Sequence, residues 1–301
     1  MAGNDDFYIH LPSNSSSHIF PDNTTATYCT ALAKRISLPG DGWTAALLEL
    51  QYPQTLYNVL PGENTLRVQF GTLNNDSESS PLVNVFSRRE IPPGHIATRE
   101  AFVSALNTAV SSFFACLGTP YFILNADGYV STKQLQASDK SLDFFDLNEH
   151  EYLSSNSVQA IAVPSEALND KAVPKLLHLN ESLAHQLGFS SGNFDLYREK
   201  PYRAERGVEL DLGLPPQCYI YCDVLEDSLV GHSLVPLLRS IPIARGPFGT
   251  TITHSVENPI YVPVNTREFS TIEINLRDNA GRPLPFVYGH SSALVHFRRR
   301  V

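Results

Sequence analysis

Residues 260–301 read IYVPVNTREFSTIEINLRDNAGRPLPFVYGHSSALVHFRRRV, and the spacing of their apolar side chains decides the fold class. Ile272, Ile274 and Leu276 alternate with Thr271, Glu273 and Asn275. A period of two places apolar side chains on one face of a pleated strand and polar ones on the other, so this stretch predicts a half-buried antiparallel strand. Asp278, Asn279 and Gly281 tolerate the positive φ of a tight reversal, and Pro283 and Pro285 keep the next residues extended without offering ladder donors. Ser291 to Phe297 predicts a last strand, with Leu294 and His296 on one face and Val295 and Phe297 on the other. It runs into Arg298, Arg299 and Arg300. A chain that finishes in a strand should have that strand tied into a sheet.

The rest of the composition agrees with strands. The 301 residues include 21 Pro, 17 Gly, 16 Phe and 13 Tyr against one Met and one Trp, which favours strands and rigid loops over helix bundles. This length holds one large all-β domain with an elaboration, or two small domains, and it can bury a substantial core. The formal charge of −9 argues against a surface that wraps nucleic acid, because such binding rests on neutralising phosphates. The opening MAGNDDFYIH has no basic region followed by an apolar run, and no window approaches a membrane span, so a soluble chain without a leader is expected. N-x-S/T triplets at Asn14, Asn23, Asn75 and Asn180 matter only in a secreted protein.

Along the chain, residues 1–25 are polar and broken, with one alternating piece at Phe7 to Leu11 suited to a strand or arm laid on a sheet. Thr27 to Leu38 and Trp43 to Tyr52 are strand candidates; the second is apolar on both faces, which predicts a central, sandwiched position with Trp43 in the core. Leu66, Val68 and Phe70 mark a third strand, and Asn74 to Ser80 a solvated loop. Thr98 can cap a helix running to Leu117, with Phe102, Leu106, Ala109, Val110, Phe113 and Leu117 on one stripe and Gly118 as the stop. Tyr121 to Leu124 and Tyr129 to Thr132 flank a hairpin signal, Val158 to Val163 reads as a strand, and Asn180 to Leu187 as a short helix stopped by Gly188. Strands resume at Gln217 to Val224, Leu234 to Pro242, Thr250 to Ser255 and Ile260 to Val264.

Many short strands without βαβ alternation describe a sandwich or barrel. The expected fold is all-β dominated, a single jelly-roll β-sandwich with an α+β insertion. Its parts are an N-terminal arm at 1–25, a core from 26–90 and 207–301, and the insertion at 91–206.

A search for chemistry finds no catalytic, cofactor or metal residues to name. The four cysteines, at 29, 116, 218 and 222, form no CxxC pair. Cys218 and Cys222 share one face of a strand but lie about 13 Å apart along it, too far for a bridge, so free buried thiols are expected. The ten histidines supply no H-x-H pair with a following carboxylate. In Asn125, Asp127 and Gly128 a calcium loop would need a ligand where Ile123 stands and a Glu where Gln134 stands. Gly289 to Ala293 approaches a nucleophile elbow, but Ala293 replaces the final Gly and a strand follows where a helix is needed. No phosphate-binding glycine loop is present.

Four segments carry a resemblance: Phe7–Ser16 (FYIHLPSNSS), Tyr219–Arg239 (YIYCDVLEDSLVGHSLVPLLR), Phe269–Phe286 (FSTIEINLRDNAGRPLPF) and Leu294–Arg299 (LVHFRR). Together they resemble the shorter capsid protein, the penton or minor capsid protein, of Maverick/Polinton elements and adintovirus-like viruses, a group related to virophage and adenovirus-like pentons. The resemblance is weakest between about Glu90 and Arg206. It implies a structural capsid protein and no enzyme: a jelly roll that forms homopentamers at icosahedral vertices and contacts the major capsid protein. A host receptor or glycan is a further candidate partner, and no specific nucleic-acid binding, cofactor or membrane span is expected. The implied location is the virion vertex, after assembly inside the host cell. Arg298, Arg299, Arg300, Phe7 and Tyr8 are the candidates for subunit contact; the arginines could equally meet phosphate or form a solvated terminus. Rival readings are a stand-alone carbohydrate- or receptor-binding jelly roll and a cupin-like metalloenzyme.

Overall fold

The structure is a computed structural model that describes residues 6–72, 85–111, 120–134, 151–152, 172–196 and 198–300. The chain divides into two units, Met1–Tyr57 with Pro215–Val301, and Asn58–Leu214. The first unit begins with β1 (Asp6–Pro12), β2 (Thr27–Ser37) and β3 (Trp43–Pro53). The second contributes β4 (Thr65–Thr72), β5 (Val85–Glu90), α1 (Arg99–Ser111), β6 (Phe122–Leu124), β7 (Tyr129–Thr132), β8 (Glu151–Tyr152), β9 (Ala172–Leu179), α2 (Glu181–Gln186), β10 (Asn193–Asp195) and β11 (Arg203–Gly207). The first unit then resumes with β12 (Gln217–Cys222), β13 (Ser228–Val230), β14 (Ser233–Val235), β15 (Leu237–Pro242), β16 (Thr251–Ser255), β17 (Val262–Pro263), β18 (Glu268–Arg277) and β19 (Ser292–Arg299).

In the first unit one sheet has the order β1-β19-β3-β16, with β17 also on β3, and the other the order β15-β12-β18-β2. All of these pairings are antiparallel. Along the chain the strands of these two sheets alternate between them, apart from β12 and β15, which pair with each other, and β16 and β17, which both pair with β3, and the last strand lies beside the first. That is the eight-stranded jelly roll, with β16 and β17 sharing one flank of β3. The strand pattern of the opening stretch is realised in β18, where Ile272, Ile274 and Leu276 are fully buried. A bulge between Phe269 and Thr271 returns Phe269 to the core side, which strict alternation would deny it. In β19, Ala293, Val295 and Phe297 face inward, and Phe297 meets Phe269 of the opposite sheet at 5.5 Å. β3 is central, as its two apolar faces predict, with Trp43 buried and its Nε1 donating to Pro39 O. Among the described residues only glycines adopt positive φ, so Asp278 and Asn279 do not supply the reversal; Gly281 does, at φ +77. Asp278 instead accepts from the Ala280 and Arg282 backbone N–H groups and from Arg282 Nε.

The second unit holds a sheet of order β10-β9-β4-β5-β8 and a three-stranded sheet β11-β7-β6. Thr98 Oγ1 accepts from Ala101 N at the start of α1, and Phe102, Val103, Leu106 and Val110 bury its inner stripe with Leu66, Val68 and Leu177. Asn107 holds both the N–H and the C=O of Phe122, which ties α1 to the β6–β7 hairpin. Asn180 caps α2 through Ser182 N, and Gly188, at φ +90, ends it.

Three expectations need correction. Thr65–Thr72 is not a jelly-roll strand: it pairs with β5 and β9, because Leu66 and Val68 serve the core around α1. The jelly roll therefore leaves off at Tyr57 and resumes at Pro215, where 90 and 207 were expected. The alternating piece at Phe7 to Leu11 is laid on this subunit's own sheet: β1 pairs with β19 from Asp6 opposite Arg298 to Pro12 opposite Ser292, so Asp6–Pro12 is a jelly-roll strand where an arm outside the core was expected. The single strand expected from Leu234 to Pro242 is broken at Pro236, which cannot donate to a ladder. The loop at 74–80, the helix beyond residue 111, Cys116 and the strand at 158–163 lie outside the described residues.

Candidate assembly surface

Pairing of β1 with β19 sorts the predicted contact residues onto two faces. Phe7 lies opposite Phe297 and stacks on it, ring centroids 5.0 Å apart, with Trp43 at 5.7 Å. It is a half-buried packing residue of its own sheet. Tyr8, on the other face, is 59% exposed and stacks on His296 at 4.4 Å. Arg298 shares that outer face and lays its guanidinium 3.4 Å over the Tyr261 ring. Arg299 turns the other way, where its Nε lies 3.4 Å from Asp41 O, and Arg300 N donates to Gly42 O. Arg267 pairs with Asp41 in the same turn. The three arginines thus do not act as one patch: one braces an aromatic ring, one reaches the turn before β3, and one is tied there by its backbone.

Sequence reasoning missed the most exposed apolar side chains. Leu229 and Leu234 are directly opposite each other in the β13–β14 hairpin, 76% and 66% exposed. The signal was legible as Gly231-His232 between two Ser-Leu-Val runs, a two-residue turn between short strands. Beside this hairpin is a cleft of about 600 Å³ lined by Tyr219, Tyr221, Asn275 and Arg277. A second patch joins Phe248 to Tyr288, ring to edge at 5.9 Å, with Val287 exposed beside them. No period announces it, because both loops are irregular.

Ser291, the elbow position, is 1% exposed and donates its hydroxyl to Thr25 O, so it serves as a loop clasp. Asn125 and Asp127 turn the β6–β7 hairpin through bonds to Tyr129. Among the described residues no group of three or more His, Cys, Asp or Glu could hold a metal ion, and no helix is long and apolar enough to cross a membrane. Cys218 and Cys222 are free and buried, and burial pushes both thiols up to about 12.

Neither a family model nor a curated protein matches this sequence. Among solved structures, the mavirus penton protein is similar over 98% of this chain and 100% of its own, with TM-score 0.51 and 10% identity. The chain has the fold of the mavirus penton protein. A chain of the Sputnik virophage structure is similar at TM-score 0.46 and 10% identity, over 98% of each. The mavirus penton likeness takes in the inserted unit as well as the jelly roll, since its coverage is nearly complete on both sides.

Proposed function

We propose that the protein is a penton-type capsid subunit, a single jelly roll that assembles as a homopentamer, closes the five-fold vertices of an icosahedral shell and contacts the major capsid protein around it. The observation that carries this is the eight-stranded order with a unit inserted between β3 and β12, similar to the mavirus penton protein across both chains. The resemblance of the terminal motifs to Maverick/Polinton-type pentons supports the same reading.

The function is geometric. A ring of five needs a heterologous interface, one side of each subunit against a different side of the next. Such a contact buries well over ~1,000 Å² and uses aromatic and apolar anchors. Leu229, Leu234, Phe248 and Tyr288 are side chains of that kind, exposed in the single chain. Tyr8 and Arg298 are the sequence-derived candidates that keep an open face, whereas Phe7 and Arg299 act within their own subunit. The vertex would lie in the virion after assembly in the host cell, and a host receptor or glycan is a further partner for it.

Sedimentation or native mass measurement of the purified protein tests this. A species of five 33.3 kDa chains is expected. A stable monomer that binds glycans would favour a stand-alone binding module, and stoichiometric metal would favour a cupin-like enzyme.

A further inference from the structure

The outer face of β12 and β18 carries four side chains in register. Tyr219 lies opposite Arg277 and Tyr221 opposite Asn275. The two tyrosines are alternate residues of one strand, so they stand about 7 Å apart along it. The β13–β14 hairpin walls one side of this block and the turn from Asp278 to Gly281 the other, which makes the cleft of about 600 Å³. Val230, Ser233 and Val235 line it from the hairpin, while Leu229 and Leu234 belong to the hairpin's opposite face.

The polar groups of this cleft are only partly used within the chain. Arg277 Nη1 donates to Gly281 O at 2.8 Å, which fixes the guanidinium. Among the described residues no carboxylate pairs with Arg277, and its Nε and Nη2 have no acceptor. Asp278, the one carboxylate lining the cleft, is engaged by Arg282 and two backbone N–H groups. Glu273, further along β18, accepts from Asn275 Nδ2. The Tyr219 hydroxyl donates to Gln217 Oε1, whereas the Tyr221 hydroxyl has no hydrogen-bond partner among the described residues. Burial holds the Tyr221 phenol above its ordinary range, with Arg277 drawing it back.

We propose that this cleft binds an acidic sugar, a pyranose unit bearing a carboxylate, through Arg277, Tyr219 and Tyr221. The inference rests on the reading in which a glycan is a partner of the vertex, and gives that partner a place and a chemical class. Nε and Nη2 form the side edge of a guanidinium, whose two parallel N–H groups match the two oxygens of a carboxylate. A pyranose has an apolar C–H face and a rim of hydroxyls. The tyrosine rings offer that face a flat apolar surface with polar tips, and the free Tyr221 hydroxyl and exposed Ser233 supply partners for the rim. The volume suits a small ligand of one or two rings.

Titration of the purified protein with methyl glucuronide and with methyl glucoside tests this, since the two share one ring and differ in the carboxylate. The glucuronide should bind about tenfold more tightly, the worth of a charge-assisted pair. Arg277→Gln should bring the two sugars to equal affinity, and Tyr219→Ala should weaken both roughly threefold. Arg267→Gln, which removes a surface arginine paired with Asp41, should change neither. Should Arg277→Gln fail to fold, Arg277→Lys keeps the charge without the fork, and the preference should fall at least threefold, to about a third of its size. Equal affinity of the two sugars for the unaltered protein, binding of neither, a preference that survives loss of the fork, or displacement of the glucuronide by equimolar acetate would overturn the proposal. Binding is read at one cleft of one chain and assembly from particle mass, so a failure of one is told apart from a failure of the other.

Discussion

The rings of Phe7 and Phe297 lie parallel, 2° apart, so the first strand and the last are joined by a stacked aromatic pair as well as by their ladder. On its other side Phe297 meets Phe269 of the opposite sheet, and Phe7 also touches the single Trp43. The first strand and the last are thereby fixed to the sandwich core.

Phe7→Ala should cost about 2 kcal/mol, less than the loss of a fully buried Phe because Phe7 is half-buried. Trp43 emission in the folded protein should shift to longer wavelength as water reaches the ring. Denaturant unfolding followed by fluorescence measures both.

Asp278 is 3% exposed and satisfied by two backbone N–H groups and Arg282 Nε. Asp278→Ala leaves those donors without their acceptor, and a loss of about 2–3 kcal/mol is expected. Calorimetry should show it as a lowered Tm, whereas Asn279→Ala in the same turn should change stability by less than about 0.5 kcal/mol.

Cys218 and Cys222 should resist thiol reagents in the native state and react on unfolding, since the neutral form is favoured inside the sandwich. The sign of the pH effect follows. Above roughly pH 9 the unfolded chain loses these protons while the folded chain keeps them to about 12, so stability falls as pH rises through that window. Each thiol contributes a slope of about 1.4 kcal/mol per pH unit. Cys218→Ser with Cys222→Ala should flatten it in alkaline denaturation curves.

Leu229→Ser with Leu234→Ser should leave the chain's own stability within about 0.5 kcal/mol, because both side chains are exposed. If they anchor the subunit contact, the same pair of changes should weaken assembly by tenfold or more, at roughly 1.4 kcal/mol lost per decade. Equilibrium sedimentation at several concentrations separates the two effects.

The jelly roll was legible because its strands carry a period of two and its turns carry Gly and Pro. Three jelly-roll strands, β1, β2 and β3, precede the inserted unit, with Asp6–Pro12 standing where Thr65–Thr72 was expected. Both segments alternate, and alternation says that a strand has one buried face without saying which core buries it. Leu66 and Val68 read the same whether they meet Phe297 or Phe102. The assembly surface was less legible for a related reason. Phe7 and Tyr8 are adjacent aromatic residues, and one register position decides that the first packs inward while the second stays exposed. His296 reads as a residue of the outer face, and its burial comes from Tyr8 and Tyr261, which are far away in sequence.

In the proposed function five copies of this chain close into a ring. Electron microscopy of the purified protein decides it: class averages with five-fold symmetry are expected, and particles that remain single jelly rolls at every concentration tried would contradict it.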